Sequence, residues 1–170
     1  MQLNDLFCAK FTALKSILTE QQVALSIKRL AHQVLENHLS LENTVLIGMQ
    51  PRGIYVSDRI IEELKKLCDP KKIAYGKLDI TFYRDDVRRE IKLANRTEIP
   101  FSIENKNVVI IEDIVDTGDT AIYLIDELKK QNPEKILFAS LLLKPDALRH
   151  PVKIDYVGFE VPNDFLVGYG

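Results

Sequence analysis

Four acids, two threonines and a glycine crowd the segment Glu112-Asp-Ile-Val-Asp-Thr-Gly-Asp-Thr120. Thr117, Gly118 and Thr120 allow a tight turn in which successive backbone N–H groups converge at a helix amino terminus, where unpaired donors and the helix dipole favour an anion. The two hydroxyls add donors. Glu112 and Asp113, immediately upstream, suit the acceptance of hydrogen bonds from vicinal sugar hydroxyls. These residue types describe a loop able to hold a phosphate and a sugar together. The alternative is that the acids and threonines only cap a helix beginning near Asp119, where both types are favoured anyway. Acids packed so closely in one turn count against it, because like charges destabilise one another unless a cation or ligand compensates.

Two further segments carry chemistry-bearing types. In Gly48-Met-Gln-Pro-Arg-Gly53 the Gln50–Pro51 bond is of the X–Pro kind, whose trans preference is only about 0.5–1 kcal/mol, so a cis turn is accessible there. Arg52 either adds positive charge to that turn or is an ordinary solvated arginine. Lys144-Pro145 ends an apolar run, and Asp155-Tyr-Val-Gly-Phe-Glu-Val-Pro162 follows. Taken alone, Lys144 reads as a surface charge and Tyr156 as an ordinary strand aromatic.

These residues need elements to position them. Thr19-Glu-Gln-Gln22 has the spacing of a capping box, and the apolar residues after it recur at helical intervals, predicting a helix over about Glu20 to Asn37. Thr44 to Gly48 and Val108 to Ile111 are short, branched, apolar runs of the kind that form buried parallel strands. Helical patterns follow each, one through Ile54, Ser57, Ile60, Ile61 and Leu64, the other from about Asp119 to Lys130. Lys77 to Tyr83 alternates as a half-covered strand does, and Lys135 to Leu143 and Ile154 to Val161 supply two more strands. The charged stretch from Arg84 to Pro100 has no apolar face and reads as a mobile functional loop. Strands alternating with helices predict an α/β domain, a parallel sheet covered on both faces by right-handed crossovers.

The composition bounds the remaining choices. The 170 residues, 46% of them hydrophobic, suit one domain over 1–170. With 23 basic against 25 acidic residues, no overall field draws the chain to nucleic acid or an anionic membrane. Cys8 and Cys68 lie far apart, which argues against a disulfide framework or zinc site and for a reducing compartment. No apolar run is long enough to span a membrane, and Asp5 and Lys10 interrupt the amino terminus where a signal peptide needs an apolar stretch. A cytoplasmic protein is expected.

An apolar strand followed by Glu-Asp-x-x-Asp-Thr-Gly-x-Thr resembles the phosphoribosyl-pyrophosphate signature of type I phosphoribosyltransferases, in the form seen in hypoxanthine-guanine phosphoribosyltransferases. The resemblance implies that fold, a mostly parallel sheet flanked by helices with a small hood and a mobile loop. It implies that Glu112 and Asp113 bind the ribose hydroxyls, that Asp116, Thr117, Gly118, Asp119 and Thr120 hold the 5′-phosphate, and that Asp116 is the general base. It further implies Mg²⁺, with Glu112 and Asp113 as partial or indirect ligands, and a homo-oligomer, dimer or tetramer. The segment around Pro51, Arg52 and Gly53 is similar to the pyrophosphate loop of the same superfamily. The segments from Lys144 and from Asp155 onward, with Val167-Gly-Tyr-Gly170, resemble the base-binding end of the hypoxanthine-guanine enzymes. By that match Lys144 donates to the oxygen of a 6-oxopurine, Tyr156 stacks on the base, and the Val157 backbone reads its edge.

Asp79-Ile-Thr-Phe-Tyr-Arg-Asp-Asp86, with Tyr83, Arg84 and Asp85 in the expected mobile loop, instead resembles the bifunctional pyrimidine-operon attenuators, which combine uracil phosphoribosyltransferase activity with RNA binding. Asp119 stands where the attenuators carry a basic residue and is expected to point outward. For RNA, Leu148-Arg-His-Pro-Val-Lys153 with Lys28 and Arg29 is a small basic cluster, whereas a phosphate-backbone site needs several charges on one face. The favoured reading is transfer of ribose 5-phosphate from phosphoribosyl pyrophosphate to a nucleobase. A 6-oxopurine is favoured as acceptor, with uracil transfer plus RNA attenuation, or a non-catalytic nucleotide sensor, as alternatives.

Overall fold

The computed structural model describes residues 16–79 and 99–168. The loop expected around Tyr83, Arg84 and Asp85 falls outside the described residues, and of the stretch from Arg84 to Pro100 only Ile99 and Pro100 fall within them.

Helix α1 (Glu20–Asn37) opens on the expected capping box: the Thr19 N–H donates to Gln22 Oε1 at 2.8 Å, and the Gln22 N–H donates to Thr19 Oγ1 at 3.2 Å. Five strands follow, β1 (Thr44–Gln50), β2 (Ala74–Asp79), β3 (Asn107–Val115), β4 (Lys135–Leu143) and β5 (Tyr156–Glu160), with α2 (Gly53–Leu67) between β1 and β2 and α3 (Asp119–Lys129) between β3 and β4. The sheet order is β2-β1-β3-β4-β5, with every pair parallel. The apolar runs behave as buried strands should. Val109 and Ile111 pack on the face carrying α1 and α2, while Val108 and Ile110 pack on the opposite face with Ala121, Leu124 and Leu128 of α3. Burying both faces is why these strands read as continuous rather than alternating runs.

The chain runs from β1 outward to β2, then returns to β3 on the other side of β1 and continues outward through β4 and β5. With right-handed crossovers, α2 and α3 are therefore thrown onto opposite faces. The strand order reverses between β1 and β3, and a crevice opens there beyond the carboxyl ends. The register locates its floor. β1 and β3 are paired up to Gly48 opposite Ile111, after which β3 continues alongside β4 alone, Glu112 opposite Ser140 and Val115 opposite Leu143.

Several boundaries differ from the sequence expectation for physical reasons. β3 extends four residues past Ile111, so Glu112 and Asp113 ride on a strand and not in the loop after it. A charged residue ended the apolar run, but the ladder to β4 did not stop. β2 begins at Ala74 rather than Lys77, because Asp69 caps a short 3₁₀ turn over Pro70–Lys72 that delivers Ala74 opposite Val45. β5 begins at Tyr156 because Asp155 replaces a ladder rung with its side chain, Oδ2 accepting the Phe138 N–H at 3.0 Å. Residues 161–168, the stretch available for a hood beyond β5, have no helix or strand.

Candidate functional site

Both loops that border the crevice end in helices whose N-cap residue supplies no side-chain cap. The N-cap of α2 is Arg52 and that of α3 is Gly118, neither with a side-chain cap hydrogen bond, in contrast to the closed capping box of α1. At α3 the capping alternative is realised in part: Thr117 Oγ1, one residue before the N-cap, accepts the Asp119 N–H at 3.4 Å, and Asp119 is an acid in the first turn. Gly118 has φ 82°, in the left-handed region, which an L side chain enters only with strain. That conformation turns the chain so that the first N–H groups of α3 lie at the mouth of the crevice without intrahelical acceptors.

The β1 loop is pressed against the end of β3. Gln50–Pro51 is cis, and Gly53 starts α2 so close to β3 that an added Cβ would lie 3.0 Å from the Ile111 carbonyl oxygen and 3.2 Å from Glu112 Cα. Arg52 and Asp113 face one another across the crevice, with Nε 3.5 Å from Oδ2. Beneath them Glu112 is buried, only 4% exposed. One strand step apart, the two acids point to opposite sides of β3, which explains why one is buried and the other reaches Arg52.

Lys144 and Asp116 are brought together, as the sequence reading required. Lys144 follows β4 directly, its backbone N–H donates to the Val115 carbonyl at 3.0 Å, and its Nζ donates to Asp116 Oδ2 at 3.1 Å. The Lys144 side chain is buried while the Asp116 side chain is half exposed, so the carboxylate presents its outer face to the crevice with a fixed cation behind it. Asp119, at the first position of α3, accepts the Thr117 hydroxyl at 2.8 Å on Oδ2 and is paired with Arg149 and His150 at 3.4 and 3.2 Å. Each of the crowded aspartates thus has its own cation: Arg52 for Asp113, Lys144 for Asp116 and Arg149 for Asp119. Thr120 lies in the first turn of α3.

Tyr156 and Val157 are not brought to this site, which corrects the base-binding expectation for both. Tyr156 is the first residue of β5 and aligns with Ala139, midway along β4 and five residues before Lys144; at about 3.3 Å per residue that sets it roughly 16 Å back from Lys144 along the strand direction. Its ring packs in the core with Ile27, Leu30 and Val34, and its hydroxyl lies 3.3 Å from His38 Nε2. Burial, with Asp155 nearby, raises the Tyr156 phenol above its ordinary range. The Val157 carbonyl accepts Arg29 at 3.1 Å. Phe165, 92% exposed, follows five residues beyond the carboxyl end of β5. The sequence reading passed over it, although Phe165 opens a short apolar run, Phe165-Leu-Val167, directly after Pro162-Asn-Asp164.

The basic cluster considered for RNA is largely occupied within the fold. Arg149 and His150 pair with Asp119, Lys153 with Asp155, and Arg29 with the carbonyls of Val157 and Gly158 and with Ser26. No described helix is long and apolar enough to cross a membrane.

The chain is similar to known proteins in two directions. In sequence it is 35% identical over 150 residues to the bifunctional protein PyrR of Caldicellulosiruptor bescii, covering 87% of this chain and 82% of that relative. It is 34% identical over 152 residues to PyrR of Acetivibrio thermocellus, covering 88% and 82%. In structure it is similar to the hypoxanthine phosphoribosyltransferase of Trypanosoma cruzi, with a TM-score of 0.78, 26% identity, and 93% and 87% of the two chains covered. A hypoxanthine-guanine phosphoribosyltransferase of Bacillus anthracis gives a TM-score of 0.76 at 27% identity, covering 92% and 88%. The family model for the phosphoribosyl transferase domain matches residues 13–170. A glycine-turned helix terminus beside paired acids at the switch point of a parallel sheet is thus joined to a family match over nearly the whole sequence, and the chain belongs to the phosphoribosyltransferase family.

Proposed function

We propose that the protein transfers ribose 5-phosphate from phosphoribosyl pyrophosphate to a 6-oxopurine, forming a nucleoside 5′-monophosphate and pyrophosphate. The observation that carries this reading is the Lys144–Asp116 pair, a buried cation behind a half-exposed carboxylate at the edge of the phosphate loop. Lys144 suits a carbonyl oxygen on the base, and Asp116 suits the nearby ring nitrogen that loses its proton. A base nitrogen attacks C1′ as the C1′–O bond to pyrophosphate breaks, and Asp116 accepts the base proton or stabilises the charge it leaves. The start of α3, with Thr117 and Thr120, holds the 5′-phosphate. The turn at Pro51, Arg52 and Gly53 holds the pyrophosphate, and Glu112 and Asp113 serve the ribose hydroxyls. The exposed ring of Phe165 takes the stacking role in place of Tyr156. Most of the catalysis is positioning of two reactants along one sheet edge.

Magnesium fits this arrangement only in part. Among the described residues no group of three or more His, Cys, Asp or Glu side chains is placed to hold a metal, and Asp113 already faces Arg52. Glu112 and Asp113 therefore suit a contact through water or the ribose hydroxyls, the ion being held chiefly by substrate oxygens, as is usual for Mg²⁺. When bound it supplies charge neutralisation for the departing pyrophosphate.

The PyrR relatives favour a second reading, uracil as acceptor with RNA as a partner. One incubation separates the two. The protein is given phosphoribosyl pyrophosphate, Mg²⁺ and a mixture of hypoxanthine, guanine, xanthine, uracil and adenine, and the nucleotides are identified by mass. Inosine or guanosine monophosphate is the expected product. Uridine monophosphate as sole product overturns the purine assignment, and no nucleotide at all overturns catalysis and leaves the sensor.

A further inference from the structure

The phosphate loop contains an acid where an anion must bind. Asp119 is the first residue of α3, so its carboxylate favours the helix dipole in the free protein but repels a phosphate brought to the same N–H groups. What surrounds it is specific. The connection after β4 is laid across the loop, with the Arg149 N–H donating to the Thr117 carbonyl at 3.0 Å and the side chains of Leu148 and Val152 against Gly118. From there His150 Nε2 lies 3.2 Å from Asp119 Oδ1 and Arg149 NH1 lies 3.4 Å from Asp119 Oδ2. Arg149 commits one of its five N–H donors to this contact, and its side chain is 68% exposed.

We infer that Arg149 is a ligand for the substrate's 5′-phosphate, and that Asp119 and His150 are positioning residues that hold its guanidinium over the amino end of α3. The inference rests on the reading of this loop as the sugar-phosphate site. A planar guanidinium can bridge two anions, one on each edge, which a point charge does less well. His150 lies against Oδ1 of Asp119, while Oδ2 accepts the Thr117 hydroxyl at 2.8 Å as well as facing Arg149, so one carboxylate ties the guanidinium to the loop. The acid that would oppose binding becomes the tether for the cation that promotes it.

The test is calorimetric titration with ribose 5-phosphate, which carries the phosphate and lacks the pyrophosphate, followed by steady-state kinetics. Arg149→Ala is expected to weaken ribose 5-phosphate about 10- to 150-fold, the usual value of a charged hydrogen bond, with binding of inorganic pyrophosphate unchanged. KM for phosphoribosyl pyrophosphate should rise with kcat preserved. Arg149→Lys should recover part of the loss, and the difference from wild type should shrink in high salt. Folding should be little affected, because the bond from Arg149 to Thr117 is made by backbone. Wild-type affinity for ribose 5-phosphate in Arg149→Ala overturns the inference, as does an equal loss for inorganic pyrophosphate. Failure of the wild-type protein to bind ribose 5-phosphate overturns the reading of the loop itself.

Discussion

Replacing Gly118 by alanine strikes the phosphate site and the fold through one backbone angle. At φ 82° an L residue carries a cost of about 1–2 kcal/mol. The added Cβ would also stand 3.0 Å from Val152 Cγ1 and 3.2 Å from Leu148 Cδ2, but those are side-chain ends that can give way, so the backbone term dominates. For a chain of this size, 1 kcal/mol corresponds to about 2–4 °C of Tm, which gives an expected fall of about 2–8 °C. The strain can also be relieved by returning φ to negative values, which swings the first N–H groups of α3 off the crevice. Losing one charge-assisted hydrogen bond to the phosphate weakens it by about 1.5–3 kcal/mol, or about 10- to 150-fold. Differential scanning calorimetry and titration with phosphoribosyl pyrophosphate read the two effects separately. Gly118→Asn, a residue more tolerant of positive φ, should lose less in both. An alanine variant with wild-type Tm and wild-type affinity would refute the assignment of the turn.

Four other outcomes follow from the same geometry. Gly53→Ala forces a Cβ to within 3.0 Å of the Ile111 carbonyl, so it should cost about 1–3 kcal/mol in urea unfolding and raise KM for phosphoribosyl pyrophosphate as the β1 loop is pushed off β3. Asp116→Asn should lower kcat by about 100-fold or more with little change in phosphoribosyl pyrophosphate affinity, and equal losses in both would remove Asp116 as the base. Phe165→Ala should raise KM for the nucleobase by the roughly 1–3 kcal/mol of a lost stacking contact without moving Tm, while Tyr156→Phe should change stability alone. His38 is held below its ordinary 6.5, by burial first and then by Lys135. Its neutral form is therefore the folded one, the unfolded chain binds the extra proton, and stability should fall as pH drops below 6.5. His38→Gln should flatten that decline in urea midpoints measured from pH 7.5 to 5, and an unchanged slope would show that another group carries it.

How much of this was legible in the sequence depends on what each segment's pattern encodes. Strands β1, β3 and β4 announce themselves because both faces are buried, so continuous runs such as Val108 to Ile111 have no other use in a chain of this size. Their ends were less visible. Glu112 and Asp113 look like the start of a loop because they are charged, yet a strand end needs only a neighbouring ladder, and β4 supplies it. The amino end of β2 was hidden for the opposite reason: Tyr75 is partly buried, but its hydroxyl is spent on Ser57 and Asp58 at 2.6 and 2.7 Å, so no apolar alternation marks it.

The site divides along the same line. Phosphate recognition is made of backbone, and backbone demands leave a local signature: glycine where φ is positive or a neighbour is too close, as at Gly118 and Gly53, and proline where the bond is cis. Base recognition is made of side chains whose direction depends on strand register, and register is a property of the partner strand. A pattern match placed Tyr156 and Val157 beside the base because the segment was right and the depth along it was not. Only the pairing of Tyr156 with Ala139, midway along β4, and its place in the core beside α1 show that the ring turns into the fold. The same reasoning explains why the purine or pyrimidine question separates from the family question. The crevice between β1 and β3 is fixed by topology and serves any acceptor, whereas under the proposed function the acceptor meets Lys144 and the segment after β5, where a change of one or two side chains would alter specificity without touching the sheet.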